Sequence, residues 1–371
     1  MGDSPFARCL QGGGLFVIYG TVAISSCTIS GNTAGIGPNV YVAGYGEFTA
    51  GYGATVCSWP TTPTGISGSV STCPAPPPSP PSPSPSPPPP PSPSPSPPSP
   101  APPPSPPSPP PRPSPPPQPP SPPSPPPSPL TTVVSNVPGL INALGATSFP
   151  RVVLAPGRYA LSAELSATRS VVIEAAVSGS VMIDAQASSS SLRRVLYINP
   201  GSSGAVQLIG LNITGGYLSS WANGNGPYVH EYGGGVYVQG GTVTISSCTI
   251  SGNTAGSGGG VAVSGGTITI TSSSIYGNGA TYQGGGVHVV SSTVTITSSS
   301  IYRNTAYTGY GGGVYVSSGT VMITSSSIYG NTAYVYELGG GVFVNSGTVS
   351  IVNSQVHSRL PGYFQASGTY L

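Results

Sequence analysis

Lysine is absent from this chain of 371 residues, and charge of either sign is scarce. Nine arginines and seven carboxylates make up 4% of the residues and leave a net charge of +2. That is too few and too scattered a set of cations for a nucleic-acid footprint. It also provides no basic block to hold an anionic membrane. No apolar run reaches the length of a membrane span. Without lysine there is no phosphate-binding GxxxxGK[ST] loop, and no Cys/His spacing suits zinc. No Asp-rich GGxGxD run offers calcium a site, so neither metal nor cofactor is expected. Cysteine is sparse too, with Cys9, Cys27, Cys57, Cys73 and Cys248.

Glycine and proline are abundant instead, at 54 and 48 residues. Gly triplets begin at Gly233, Gly258, Gly284, Gly311 and Gly339, with steps of 25, 26, 27 and 28 residues, and another begins at Gly12. Each opens a unit close to GGGVYVxxGTVTITSSSIYGNTA, and a regular period of this size marks a solenoid. Within the unit at 233–257, Val236 and Val238 alternate with Tyr237. Val243 and Ile245 alternate with Thr244, and Cys248 and Ile250 with Thr249. Three short period-2 strands are thus separated by Gly, Ser and Asn turns. One unit cannot bury its own apolar face, but stacked units build three parallel sheets around a common core. The spacing predicts an all-β, right-handed parallel β-helix with coils of 25–28 residues. Val236, Val261, Val287, Val314 and Val342 form one inward column, and Ile245, Ile270, Ile296, Ile323 and Ile351 another. Seven or eight coils at the strand spacing predict a rod of roughly 35 Å.

Asn253, Asn278, Asn304 and Asn331 form a further column, read as a structural ladder in which Asn takes a left-handed turn and its amide bonds the coils above and below. Cys27 and Cys248 share one repeat position with Ser273, Ser299 and Ser326, read as a small residue in a packed stack. The Gly triplets are read as corners.

The sharpest boundary is compositional. Between Pro74 and Pro129, 38 of 56 residues are proline and 14 are serine. Proline fixes φ and lacks the N–H, so this stretch is expected to be a polyproline II rod of about 170 Å if straight. Its reading as a hydroxylated and O-glycosylated spacer outranks an SH3-type docking site, since Arg112 is its only basic residue. Residues 1–73 are expected to form the last coils and cap of one solenoid module. Cys57 and Cys73 at its end form a plausible disulfide. Residues 130–371 are expected to form a second β-helix, with a cap helix around Gly139–Leu144 and short irregular strands through Ile213. The apolar stretch Leu15–Ile24 overlays the repeat and is therefore strand rather than signal peptide. The sequence is read as starting inside a solenoid, with an export signal outside it.

The paired GGGV and I-x-x-N signals, once per coil, resemble the repeats of polymorphic outer-membrane proteins. The opening VVLAPGRYALS…VVIEA resembles the first coil of pectin-lyase-like proteins. The Ser/Pro run resembles hydroxyproline-rich wall glycoproteins of green algae. Together these resemblances imply an extracellular wall or matrix protein whose partners are matrix polysaccharides and glycoproteins. The repeat similarity covers about 12–36 and 205–358.

The pectin-lyase resemblance also implies a polysaccharide-cleaving enzyme as an alternative, but such chemistry needs converging carboxylates. The regular coils, 233–358, hold only Arg303, Glu337, His288 and His357 as ionisable candidates. Glu174 and Asp184 end matching strands, with Arg158, Arg193 and Arg194 nearby in sequence, and His230 and Glu231 share an insertion. Convergence of Glu174, Asp184 and their arginines would favour the enzyme; otherwise no catalytic residue is expected. A glycan platform is the other alternative. Tyr237, Ala262, His288, Tyr315 and Phe343 are expected on one outer face, and Tyr276, Tyr302 and Tyr329, continued by His357, on another. Corner loops add Tyr282, Tyr307, Tyr310, Tyr334 and Tyr336, and these tyrosines could alternatively serve oxidative cross-linking. Asn212 lies in the single N-glycosylation sequon.

Overall fold

A computed structural model describes residues 14–29, 40–42, 47–50, 55–56, 66–68, 130–218, 231–334 and 339–358. Met1–Cys73 and Pro129–Leu371 form one compact unit, and Pro74–Ser128 another. The proline-rich spacer, Cys9, Cys57, Cys73, His230, Tyr336 and Glu337 lie outside the described residues.

The repeats wind into a parallel β-helix with sheets of nine, twelve and fourteen strands. The first sheet carries the Val-x-Val strands, such as Val236–Val238 and Val261–Ser264. The second carries the TVTI strands, such as Thr242–Ser246 and Thr267–Thr271. The third carries the S-I-Y strands and continues into a corner ladder through Thr254–Ser257 and Gly279–Gln283. Both expected columns form: Val236, Val261, Val287, Val314 and Val342 are successive partners, as are Ile245, Ile270, Ile296, Ile323 and Ile351. All ten are buried in one core.

One end is closed by the helix Val137–Gly145, slightly longer than expected. The Asn136 side chain accepts from the Gly139 N–H at 2.8 Å, satisfying an N-terminal donor. Leu140, Ala143 and Leu144 are buried. At the other terminus Arg169 donates to the carbonyls of Leu144 and Ala143, which the helix itself leaves without partners.

The N-terminal segment departs from the expectation of a separate module. Leu15–Val17 pairs with Val342–Val344, and Thr21–Ser25 with Thr348–Val352. Residues from the start of the chain thereby extend the stack beyond its last repeat. A coil's core columns are the same whichever stack it joins, so repeat similarity does not say where it will sit. With them, the twelve strands of the second sheet span about 53 Å, longer than the expected rod.

Two polar ladders hold the corners. Asn253, Asn278, Asn304 and Asn331 are buried. Asn253 Nδ2 donates to Asn278 Oδ1 at 3.1 Å, Asn278 to Asn304 at 3.0 Å, and Asn304 to Asn331 at 3.0 Å. The ladder is as expected, but its backbone is not. The left-handed residue is the one before each Asn: Gly252, Gly277, Arg303 and Gly330, at φ between 53° and 65°. The Asn side chain turns inward while its predecessor makes the corner. A second ladder runs Cys248–Ser273–Ser299–Ser326–Ser354–Cys27, each Oγ or Sγ accepting an N–H from the coil before. Cysteine stands at both of its ends, buried and free. Burial pushes the Cys248 thiol up to about 11, which suits a packing role rather than a nucleophile.

Candidate functional site

The first sheet's outer face was expected to be open. The structure buries it. Tyr197, Tyr237, Ala262, His288, Tyr315, Phe343 and Phe16 are successive outward residues in register. Ala262, His288, Tyr315, Phe343 and Phe16 are all buried. The rings make one continuous layer. His288 and Tyr315 have centroids 5.3 Å apart, Tyr315 and Phe343 5.2 Å, and Phe343 and Phe16 5.0 Å.

Ala262 leaves a gap, and Tyr232 fills it from the preceding loop. Its ring lies 5.7 Å from Tyr237 and 5.6 Å from His288. Tyr310 likewise folds back onto Phe343, at 4.7 Å. Both residues directly precede a Gly triplet. Gly233 and Gly311 have φ of +67°, and a Cβ on Gly311 would sit 2.8 Å from the Cβ of Tyr315. The left-handed glycine reverses the chain and turns the preceding ring over the sheet. At one end Arg194 lies over Tyr237, 5.0 Å from the centroid, and pairs with Glu164 at 3.2 Å. This layer is a second core, and it removes His288, Tyr315 and Phe343 from any glycan platform; Tyr237 is half-buried.

His288 is the polar member of that layer. Among the described residues its Nδ1 has no hydrogen-bond partner. Burial between Tyr232 and Tyr315 pushes its imidazole down from 6.5 to about 4. Between those values the unfolded chain takes up a proton that the folded one refuses. Stability should therefore fall as pH drops through that window, by about 3 kcal/mol from this residue. Melting curves across pH check this: His288→Phe should flatten the slope between pH 6.5 and 4. An unchanged slope would show that His288 contributes nothing.

The second predicted column is ordered and open to solvent in part: Tyr329 is exposed, Tyr276 and Tyr302 half-buried. Tyr276 and Tyr302 stack at 4.8 Å, and Tyr302 and Tyr329 at 4.8 Å with 2° between planes. His357 pairs in register with Tyr329. On the corner Tyr307 and Tyr334 stack at 6.3 Å and are 50% and 46% exposed. Tyr282 and Tyr310 are half-buried.

Composition alone pointed to a surface of hydroxyls but named no positions for a third surface. The outward positions of the second sheet are Thr242, Thr267, Thr293, Thr320 and Thr348 in one column, and Thr244, Thr269 and Thr295 in another. All are exposed or half-buried, giving a neutral grid of hydroxyls and methyls. The T-x-T alternation in each repeat was its signal.

The acidic candidates do not converge. Glu174 lies in the second sheet and makes a bidentate pair with Arg151, at 2.7 and 2.8 Å. Asp184 lies in the third sheet and pairs with Arg158 at 2.5 Å, its other oxygen accepting the Gln186 N–H at 2.8 Å. Each carboxylate ties adjacent early coils together. Arg193 donates to Leu161 O, and Arg303 holds a corner. Glu231 O accepts from Ser257 N at 3.0 Å beside the corner ladder. No group of His, Cys, Asp or Glu suited to a metal occurs among the described residues. No helix among them is long and apolar enough to cross a membrane. Asn212 lies within the strand Leu211–Thr214, and its Nδ2 donates to Gly179 O at 2.8 Å.

Residues 196–368 match the family model described as a right handed beta helix region. No curated protein matches the chain.

Proposed function

We propose that this chain is a structural protein of an extracellular matrix or cell wall, a β-helix rod joined to a glycosylated Pro/Ser spacer. One observation carries the reading. The carboxylates Glu164, Glu174 and Asp184 are each held by an arginine, whereas the repeated outer faces present threonine, serine and tyrosine. Neutral hydroxyl faces bind water and sugars through many weak contacts and offer little acid–base chemistry. The spacer's prolines and serines supply sites for hydroxylation and sugar. Fractionation of the source organism tests the proposal. The chain should be recovered from the extracellular matrix with hydroxylated, glycosylated prolines in 74–129. Recovery from the cytosol with unmodified prolines would refute it.

A second reading, glycan adhesion, is favoured by the stacked Tyr276–Tyr302–Tyr329 column. Planar, half-exposed rings suit the apolar faces of sugars. Binding to immobilised wall polysaccharides should then fall when Tyr302 is replaced by alanine. Polysaccharide cleavage has less support, because Glu174 and Asp184 stand on different sheets, each in its own ion pair.

A further inference from the structure

Residues 14–29 dock on the edge formed by Val342–Val344, Thr348–Val352 and Gln355–Ser358. Val342 N donates to Gly14 O at 2.9 Å, Tyr19 N to Asn345 O at 2.9 Å, and Asn353 N to Ser25 O at 3.0 Å. Ser354 N donates to Cys27 Sγ at 3.4 Å, which ends the serine ladder. Phe16 lies flat on Phe343, with 4° between the rings. Leu15, Val17, Val22, Ile24 and Ile29 are buried in the common core. The fit is close at Gly20, where a Cβ would come within 2.5 Å of Val344.

None of these contacts depends on how the two segments are covalently joined. Between them in sequence lies the 56-residue Pro/Ser run. Its extended length of about 170 Å exceeds threefold the roughly 53 Å between the first and last strands of the second sheet. A connector whose contour length much exceeds the span lowers the effective concentration of the tethered segment, which is about millimolar even for short flexible linkers. An identical segment from another molecule then competes for the same edge, and such exchange costs little because no new contact has to be invented.

We propose that residues 14–29 also dock in trans, on the Val342–Ser358 edge of a second copy of this chain. Each molecule then donates one segment and accepts another. Passed head-to-tail, this exchange builds an open filament; two molecules that exchange segments reciprocally close a dimer. The opposite end of the stack carries the helix Val137–Gly145, so growth is directed to one edge. This inference is independent of where the protein resides.

The test uses full-length chains carrying two different tags, unfolded together and refolded over a range of concentrations. Mean mass by light scattering should at least double from dilute to concentrated samples, and capture through one tag should recover the other. Ile24→Asp places a charge opposite Ile351 and should hold the donor at the mass of one chain. Its edge is then vacant, so mixed with wild type it should be captured as an acceptor. Where Ile24→Asp melts the solenoid, Phe16→Ala serves instead: in a mixture with excess wild type its segment should displace the wild-type segment from wild-type edges roughly tenfold less often than a wild-type donor does, the effect of about 1.4 kcal/mol. A single-chain mass at every concentration overturns the proposal, and so does assembly that both variants leave unchanged.

Discussion

Gly285→Ala should destabilise the solenoid by at least about 3 kcal/mol, or prevent folding altogether. A Cβ there would lie 2.5 Å from Gly312 O of the next coil and from Thr305 N and Thr305 O, all of them backbone atoms. Flexible side chains could move aside, but two coils bonded at the strand spacing cannot separate without breaking their ladder. Gly277→Ala is the contrasting variant. Gly277, unlike Gly285, has positive φ, at 61°, and nothing lies within 4 Å of its Cβ position. It should cost only about 1 kcal/mol, the penalty of a left-handed alanine. Urea unfolding of the two variants separates crowding from conformation. Equal losses would mean that the triplet marks a turn and nothing more.

Asn304→Ala should cost about 3–5 kcal/mol. Asn304 is 0% exposed, and its Oδ1 accepts from both the backbone N–H and the Nδ2 of Asn278, each at 3.0 Å. Its Nδ2 donates to Ile275 O at 2.9 Å and to Asn331 Oδ1 at 3.0 Å. Alanine would leave several of these groups buried without partners, in a place water cannot reach. The serine ladder should be more forgiving of one change. Ser299→Cys should cost less than about 1 kcal/mol, because Cys27 and Cys248 already fill the same place with the same bonding. Ser299→Ala removes the acceptor of Ser273 N and should cost about 1–3 kcal/mol. Denaturant midpoints rank the three, and Asn304→Ala proving as mild as Ser299→Cys would contradict the ladder's role.

The sequence made the inward architecture readable because strand periodicity leaves no freedom there. Once Val236 faces the core, Val238 must also, and the next coil repeats the choice. The Asn column was readable for the same reason, though the left-handed residue at each corner proved to be its predecessor. The outer face of the first sheet was misread because period-2 alternation says which residues point away from one core. It does not say that Tyr232 and Tyr310 return over them. Those rings come from the irregular stretches before each triplet, where no repeat guides the eye. The stacking of residues 14–29 on the last coil was hidden by the repeat itself, since every coil offers the same edge.

One continuous stack runs from the cap helix through the last repeat to residues 14–29. Native-state hydrogen exchange measures it most directly. The amides of Ile301, Ile328, Val356 and Ile29 lie in consecutive or adjoining coils of the third sheet. They should exchange together in one slow class, with Ile29 as protected as Val356. Free exchange at Ile29 while Val356 stays protected would show that residues 14–29 are not part of the stack.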